Sequence, residues 1–118
     1  MITKLFMVSL RAPDLPAATQ FYRDVVGLPL AVPRPDRPHF DLGGGAYLVI
    51  LEGEPSRVES SAEDRFPRIA LEVDDFEAAL NRLESAGIEL PWGVEKDSLR
   101  RWAEFYDPAG NLLEIVAR

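Results

Sequence analysis

Three glutamates in the second half of the chain, Glu72, Glu104 and Glu114, have types and spacing that suit acid–base or binding chemistry. If Tyr106 pairs with Leu112 across a tight turn, Glu104 lies directly opposite Glu114 on the neighbouring strand, whereas a one-residue slip would place Ala103 and Phe105 on that face instead. Carboxylates that lie this close together raise one another's pKa, so one of them could act as a base. An acidic lining of this kind would also suit a cationic ligand.

Few other side chains offer chemistry. Trp102 alternates with Glu104 on the same predicted strand, and Trp92 is a second ring that could stack on a flat or cationic ligand. His39, the only histidine, falls on a middle strand. The glycine triplet at 43–45 precedes the β-rich run AYLVIL rather than a helix, so we interpret it as a tight turn and not as a phosphate loop.

Composition excludes several classes of partner. The chain has 118 residues, with 20 acidic and 13 basic side chains and a formal charge of -7, which argues against binding a nucleic-acid backbone. It has no cysteine, so disulfides and thiolate metal sites are excluded, and a cytoplasmic location is expected. No apolar run approaches the roughly 20 residues that a membrane helix needs, and the N-terminus lacks the pattern of a signal peptide.

The elements that must position these residues come from an internal duplication. The segment at 7–14, MVSLRAPD, has a similar counterpart at 68–75, RIALEVDD. Both segments alternate apolar and polar residues and end on aspartate. A helical pattern follows each segment, and Gly27 or Gly87 ends it. Asp14 in the first copy, and Asp74 or Asp75 in the second, are the predicted N-caps.

Each copy therefore predicts the order strand, helix, strand, strand, strand. The predicted elements are strands 5–11, 28–32, 38–42 and 46–51 with helix 15–26, and strands 68–73, 88–94, 101–106 and 112–117 with helix 76–86.

The expected architecture is a single α+β domain over 1–118. It comprises βαβββ modules at 1–52 and 67–118, with a polar linker at 53–66, that together form one curved eight-stranded mixed sheet with the helices outside. A ferredoxin-like fold is the rival, but it makes poor use of residues 38–51 and 101–117. The more polar face of each first strand should lie away from the helix, on the concave side; those residues are Met7, Ser9 and Arg11, and Arg68, Ala70 and Glu72.

Three segments of the chain resemble the vicinal oxygen chelate superfamily, which includes glyoxalase I, bleomycin-resistance proteins and extradiol dioxygenases. They are APDLPAATQFYRDVVGLPL at 12–30, IALEVDDFEAALNRLESAGIEL at 69–90 and FYDPAGNLLEIV at 105–116. The Asp-Pro-x-Gly-Asn turn followed by two apolar residues and glutamate is the most specific motif. The resemblance covers nearly the whole chain.

The resemblance implies a divalent metal, held by residues of the first and last strands of each module, that acts as a Lewis acid. The corresponding positions here are Met7, Val49 (Leu48 in an alternative alignment), Arg68 and Glu114. Only Glu114 is a ligand for hard or borderline divalent ions, because a thioether is a poor donor, valine offers no lone pair and arginine is a fixed cation. We therefore expect no metal and no other cofactor, with a divalent metal as the alternative.

In place of the metal, we expect the Arg68 guanidinium to pair with Glu114. The predicted ligand-binding residues are Met7, Ser9, Val49, Arg68, Glu72, Trp102, Glu104 and Glu114.

Only one of the four implied metal-ligand positions, Glu114, carries a ligand. This favours a metal-free small-molecule-binding protein of the glyoxalase/bleomycin-resistance type. One alternative is a lyase, isomerase or dioxygenase of the glyoxalase type, with Glu114 catalytic in a non-standard metal site. Another is a scaffold without a ligand. The expected partners are a small molecule, cationic or aromatic, and a second copy of the chain in a homodimer, which the resemblance implies; neither nucleic acid nor membrane is expected.

Overall fold

The computed structural model describes residues 1–32, 34–55 and 68–118. The chain divides into two compact units, of which the first comprises Met1–Pro55 and the second is described from Arg68 onward. Residues 56–66 of the expected linker lie outside the described residues, so the module boundaries at 52 and 67 stay a prediction. No helix in the described ranges is long and apolar enough to cross a bilayer.

The first unit is a four-stranded mixed sheet with one helical segment. Its strand order is β1-β4-β3-β2, with β1 parallel to β4 and the other neighbours antiparallel. Its elements are β1 (Met7–Ala12), α1 (Leu15–Gln20), a π-helical continuation (Phe21–Val26), β2 (Leu30–Val32), β3 (His39–Gly43) and β4 (Ala46–Glu52).

The second unit repeats this arrangement, with strand order β5-β8-β7-β6 and β5 parallel to β8. Its elements are β5 (Arg68–Glu72), α2 (Phe76–Ser85), β6 (Val94–Lys96), β7 (Arg101–Tyr106) and β8 (Leu112–Ala117). The α+β class and the two βαβββ modules are confirmed. The strands hydrogen-bond as two four-stranded sheets, one in each unit, rather than as the predicted single sheet of eight, since every strand pairing of the described residues lies within one unit.

Both helices begin as the duplicated aspartates predict. Asp14 accepts a hydrogen bond from the Ala17 amide at 3.0 Å, and Asp75 accepts one from the Ala78 amide at 3.0 Å. Each carboxylate satisfies an amide that the first helical turn leaves without a partner, which is typically worth about 1 kcal/mol. Asp75 rather than Asp74 is therefore the cap of α2.

The helix predicted over 15–26 is not a single α-helix. After Gln20 the turns widen, and the amides of Gly27 and Leu28 both donate to the Tyr22 carbonyl, at 3.1 and 2.9 Å. The wider turn accompanies burial of two consecutive aromatic rings, since Phe21 and Tyr22 are both in the core and their rings meet edge to face at 5.3 Å. Gly27 ends the helix in the left-handed conformation, as predicted.

The strand predicted over 88–94 was placed too early. Pro91 cannot donate to a ladder, and the Gly93 amide closes a turn onto the Leu90 carbonyl at 3.0 Å with Gly93 at φ 64°. Strand β6 therefore begins only at Val94. The apolar residues before it belong to the segment that leads from α2 into this turn.

The two faces of the second sheet differ as the alternation predicts. The helix-side face carries fully or nearly fully buried apolar residues of β7 and β8, and α2 packs on β8. These core residues are Ala103, Phe105, Leu113 and Ile115. On β5, Arg68, Ala70 and Glu72 lie on the opposite face and are exposed, while Ile69 and Leu71 are half-buried. The first strand of the first unit shows the same pattern, with Met7, Ser9 and Arg11 exposed.

Candidate functional site

The register of β7 and β8 brings two glutamates together. Tyr106 pairs with Leu112, so Glu104 stands directly opposite Glu114, which is the first of the two registers that the sequence allows. Ala70 on β5 is the partner of Glu114 on the other side. Because directly paired residues share a face, both carboxylates lie on the side of the sheet that faces away from α2.

Arg68 reaches from β5 to both carboxylates. Its Nη1 donates a hydrogen bond to Glu104 Oε1 at 2.6 Å, and its Nε lies 3.7 Å from Glu114 Oε1. The expected pairing with Glu114 is present, but Glu104 is the closer partner, which the sequence did not indicate. We call Arg68, Glu104 and Glu114 the arginine–glutamate cluster.

Burial within this cluster is uneven. The Glu104 side chain is 0% exposed, that of Glu114 is 10% exposed and that of Arg68 is 33% exposed. An ionised carboxylate with no solvent contact is costly unless it is paired, and Arg68 supplies such a pair for the Glu104 side chain.

One guanidinium cannot fully neutralise two carboxylates. Burial raises the pKa of the Glu114 carboxyl; the Arg68 cation opposes this effect, and the charge and hydrogen bond of Glu104 reinforce it. Arg100 also lowers the pKa of Glu114, as the smallest of these influences. Glu114 is therefore the member of the cluster that holds a proton more readily than an ordinary glutamate.

The other predicted residues of the second unit are on the same face but not in the cluster. Glu72 pairs with Val116, which pairs with Trp102, so these residues form a row beside the cluster. The Glu72 carboxylate accepts from Arg118 Nε at 2.8 Å, and both side chains are largely exposed. The acidic lining predicted from three glutamates is therefore a pair of glutamates held by Arg68, with Glu72 held separately by Arg118.

Tyr106 is a residue of this face that the predicted site residues omit. It lies two residues beyond Glu104 on β7, and its ring is 6.2 Å from that of Trp92. The alternation of Trp102, Glu104 and Tyr106 was the available signal. Two half-buried aromatic side chains of β7 thus flank Glu104 on one face.

In the first unit, the predicted residues Met7, Ser9 and Val49 share one face of the sheet. Ser9 pairs with Val49, and Val49 pairs with His39, while Met7 pairs with Tyr47. Met7 is 43% exposed and Val49 is buried. That these three residues bind a ligand stays a prediction.

The duplication gives these pairings a direct counterpart. Val49 occupies the place in the first sheet that Glu114 occupies in the second, and His39 occupies the place of Glu104. The alternative alignment through Leu48 does not fit this face, because Leu48 pairs with Val8 and Phe40 in the core. The Nδ1 atom of His39 lies 2.8 Å from the Arg37 carbonyl oxygen, which can only accept, so Nδ1 carries a proton.

The residues at the four positions where the resemblance implies metal ligands do not fit a metal. A thioether, an isopropyl group and a guanidinium stand at three of them, Met7, Val49 and Arg68, and the guanidinium pairs with the carboxylate at the fourth, Glu114. Within the described ranges, no three His, Cys, Asp or Glu side chains are grouped closely enough to hold a metal ion.

The Asp-Pro-x-Gly-Asn motif forms the turn between β7 and β8. Asp107 Oδ1 accepts from the amides of Ala109 and Asn111 at 3.0 and 2.8 Å, and its Oδ2 accepts from Asn111 Nδ2 at 2.8 Å. Gly110 is at φ 94° and donates to the Asp107 carbonyl at 3.0 Å. The motif therefore fixes the register that sets Glu104 against Glu114 and has no direct part in the cluster.

Several solved structures resemble the whole chain. The oxidase ChaP-H2 is 25% identical with a TM-score of 0.79, covering 100% of this chain and 95% of that one. TnmS3, an antibiotic-binding protein from Streptomyces sp. CB03234, is 25% identical with a TM-score of 0.78, covering 98% and 96%. A glyoxalase/dioxygenase from Nostoc punctiforme is 21% identical with a TM-score of 0.82, covering 97% and 90%, a likeness in fold.

No curated protein matches the chain. The family model described as Glyoxalase/Bleomycin resistance protein/Dioxygenase superfamily matches residues 4–115. The match spans both βαβββ modules and includes the arginine–glutamate cluster. The chain therefore belongs to the glyoxalase/bleomycin-resistance protein/dioxygenase superfamily.

Proposed function

We propose that this chain is a metal-free small-molecule-binding protein of the glyoxalase/bleomycin-resistance type, and that its ligand binds on the face of the second sheet that carries Arg68. The observation that carries the proposal is the arginine–glutamate cluster, in which a guanidinium pairs with the carboxylate at the family's metal position. A buried carboxylate needs a cation, and here the chain supplies its own.

The energetics of replacing this cation support the proposal. A divalent ion bound to Glu114 would lie close to the Arg68 guanidinium, because Nε is 3.7 Å from the carboxylate oxygen. Repulsion at about 4 Å is roughly 4 kcal/mol per unit of charge at an effective dielectric constant of about 20, or about 8 kcal/mol for a divalent ion. Glu104 and Glu114 offset part of this repulsion, but a divalent ion would have to displace the guanidinium that already pairs with both carboxylates.

The face also has features of a small-molecule site. Such sites are largely apolar, with a few polar groups that fix the orientation of the ligand. Ala70 is small, Trp102 and Tyr106 are half-buried, and Arg68 supplies the polar group. TnmS3, which has the same fold, is described as an antibiotic-binding protein. This description supports a small-molecule-binding role for this chain rather than a scaffold without a ligand.

An enzyme is the second candidate, because the raised pKa of Glu114 suits a proton-transfer group and ChaP-H2 is described as an oxidase. Such an enzyme would be a lyase, isomerase or dioxygenase of the glyoxalase type, with a non-standard metal site or with Glu114 as a metal-independent base. We further propose that the protein is cytoplasmic and forms a homodimer. Light scattering would test the oligomeric state.

A thermal-shift screen of small aromatic compounds and antibiotics, run in EDTA and in added Zn²⁺, Mn²⁺ or Ni²⁺, tests the proposed function. A ligand at 100 times its Kd stabilises the folded state by about 2.7 kcal/mol. We expect stabilisation that is equal in EDTA and in metal. Stabilisation that appears only when metal is added would favour the enzyme candidate and contradict the proposal.

A further inference from the structure

The first sheet carries a half-buried histidine with one committed and one open ring nitrogen. His39 Nδ1 donates to the Arg37 carbonyl oxygen at 2.8 Å, so in the neutral ring the other nitrogen, Nε2, is a bare acceptor. Within the described ranges no hydrogen bond reaches Nε2. No buried side-chain nitrogen or oxygen of those ranges lacks a partner, so the unpartnered Nε2 is open to solvent.

The strands beside His39 cannot supply the missing donor. Its cross-strand neighbours are Val49 on β4 and Val32 on β2, and both side chains are apolar. The nearest aromatic group, Tyr47, meets the imidazole edge to face with ring centroids 6.1 Å apart. The hydrogen bond to the Arg37 carbonyl meanwhile holds the ring in one tautomer. The first sheet therefore presents an oriented acceptor to a donor from outside.

A row of side chains runs across the same face from Ser9 through Val49 to His39. Neighbouring strands lie about 4.8 Å apart, so the two ends of the row are about 10 Å apart. Val49 is apolar and buried, which leaves polar groups only at the two ends. Beside the row, the Tyr47 ring packs edge to face against Phe6 at 6.0 Å, and these rings offer aromatic contact area to a flat ligand.

The charge on this face favours a neutral ligand. Asp41 lies two residues beyond His39 on β3, opposite Tyr47, and it is exposed. One of its oxygens accepts from the Gly43 amide at 2.7 Å. A carboxylate on the same face repels an anion, whereas a neutral hydroxyl group can donate to Nε2 without this penalty.

We infer that the first sheet holds a second small-molecule site, in which His39 Nε2 accepts a hydrogen bond from a hydroxyl group of a neutral, flat aromatic ligand. Tyr47 contacts the ring of this ligand, and Ser9 binds a polar group at its far end. The site uses residues of the first unit alone and none of the arginine–glutamate cluster. It therefore goes beyond the proposed function and does not depend on it.

The single histidine of the chain makes the site directly observable by NMR, since every imidazole signal belongs to His39. Long-range ¹H–¹⁵N spectra of the untagged protein would be recorded in mildly alkaline buffer with EDTA, where imidazoles are neutral. We expect Nδ1 to carry the proton and Nε2 to be bare. A spectrum in which Nε2 carries the proton would overturn the inference.

Two probes with one ring system then test the hydroxyl group: 2-naphthol, and 2-methoxynaphthalene, which has no donor. We expect 2-naphthol to move the Nε2 signal upfield. From the dependence of the His39 signals on probe concentration, we expect it to bind about threefold to tenfold tighter than the ether, the range that a net hydrogen bond typically contributes. Equal binding, or a His39 spectrum that 2-naphthol does not change, would overturn the inference.

Variants locate the preference by isothermal titration calorimetry in EDTA. His39→Phe keeps a ring without the acceptor and should bind the two probes equally. Asp41→Asn, at the other acceptor of this face, keeps an oxygen for the Gly43 amide and should retain the preference for 2-naphthol. A preference that survives in His39→Phe or disappears in Asp41→Asn would overturn the assignment to His39. The NMR result on the natural chain stands even where a variant fails to fold.

A third probe tests the far end of the row. The ligand 2,6-dihydroxynaphthalene carries hydroxyl groups at opposite ends of the same ring system. It should bind tighter than 2-naphthol in the natural chain but not in Ser9→Ala. An advantage that Ser9→Ala retains would overturn the role given to Ser9.

The outcomes separate this site from the proposed function. If no hydroxylated probe changes the His39 signals, while a compound in the thermal-shift screen stabilises the metal-free protein, the inference is overturned and the proposed function stands. If 2-naphthol binds at His39, while the screen shows stabilisation only in added metal, the inference stands and the proposed function is contradicted.

Discussion

At the scale of single residues, Arg68 is the side chain on which the cluster depends. Arg68→Met would leave Glu104 buried without its cation, and we expect a loss of about 3 kcal/mol in unfolding free energy. This is the low end of the roughly 3–5 kcal/mol typical of a broken buried pair, because Arg68 is one-third exposed. Urea denaturation measures it. Adding Glu104→Gln should recover part of the loss; a double variant as unstable as the single one would show that Arg68 acts by packing alone.

Glu114 should make stability depend on pH. Its pKa in the folded state is raised, so the folded state binds the proton more tightly than the unfolded chain does. The resulting stabilisation is fully present below the unfolded pKa, about 4.3, and is lost as pH rises through the higher folded pKa. Glu114→Gln should remove this part of the pH dependence. Urea denaturation from acid to neutral pH measures it, and an unchanged slope in the variant would contradict the assignment.

At the scale of elements, the duplicated aspartates give a matched comparison. Asp75→Ala removes the N-cap of α2 and should cost about 1 kcal/mol of unfolding free energy. Asp74→Ala, one residue earlier and not the cap, is the control and should change stability by less than about 0.5 kcal/mol. Chemical denaturation of the two variants measures the difference, and a loss in Asp75→Ala no larger than that in Asp74→Ala would contradict the assignment of Asp75 as the cap.

The turn that follows β7 should be more sensitive than either cap. Asp107 is 5% exposed, and its two carboxylate oxygens accept three hydrogen bonds. Asp107→Ala would leave two amides without that partner, so we expect a loss of about 2–3 kcal/mol. Asp107→Asn, which keeps one acceptor oxygen, should lose less. Denaturation of both variants tests this, and equal losses would contradict the role given to Oδ1, the oxygen that accepts from the two amides.

Elements with a local cause could be predicted from the sequence, and elements set by packing could not. The caps at Asp14 and Asp75 and the 107–111 turn each depend on residues within five positions of one another, so the pattern shows them directly. The π-helical turn after Gln20 depends on burying Phe21 and Tyr22 together, which no local pattern reveals. The late start of β6 at Val94 has a local cause that the predicted strand over 88–94 overlooked, namely the turn at Pro91 and Gly93.

The same distinction holds for the candidate site. The pairing of Glu104 with Glu114 follows from the length of the turn between β7 and β8, so it was predictable. The preference of Arg68 for Glu104 over Glu114 depends on how a long side chain crosses β8, which strand alternation does not specify. The relative burial of the three cluster residues depends on the packing around them, which strand alternation does not specify either.

At the scale of the whole molecule, two copies of one module have acquired different chemistry at matching positions. Val49 and His39 stand in the first sheet where Glu114 and Glu104 stand in the second. The charged groups of the cluster therefore all come from the second unit. Of the four positions at which the resemblance implies metal ligands, this asymmetry leaves a ligand type only at Glu114.

Metal content by elemental analysis tests the central claim most directly. The protein would be purified without chelator, soaked in Ni²⁺, Mn²⁺, Fe²⁺, Zn²⁺ or Mg²⁺, desalted and measured. Arg68→His, which replaces the guanidinium by an imidazole beside Glu104 and Glu114, would be treated in parallel and should retain more metal. For the natural chain we expect far less than one ion per chain after every soak. A stoichiometric ion that also stabilises the fold would contradict the claim that Arg68 takes the place of the metal.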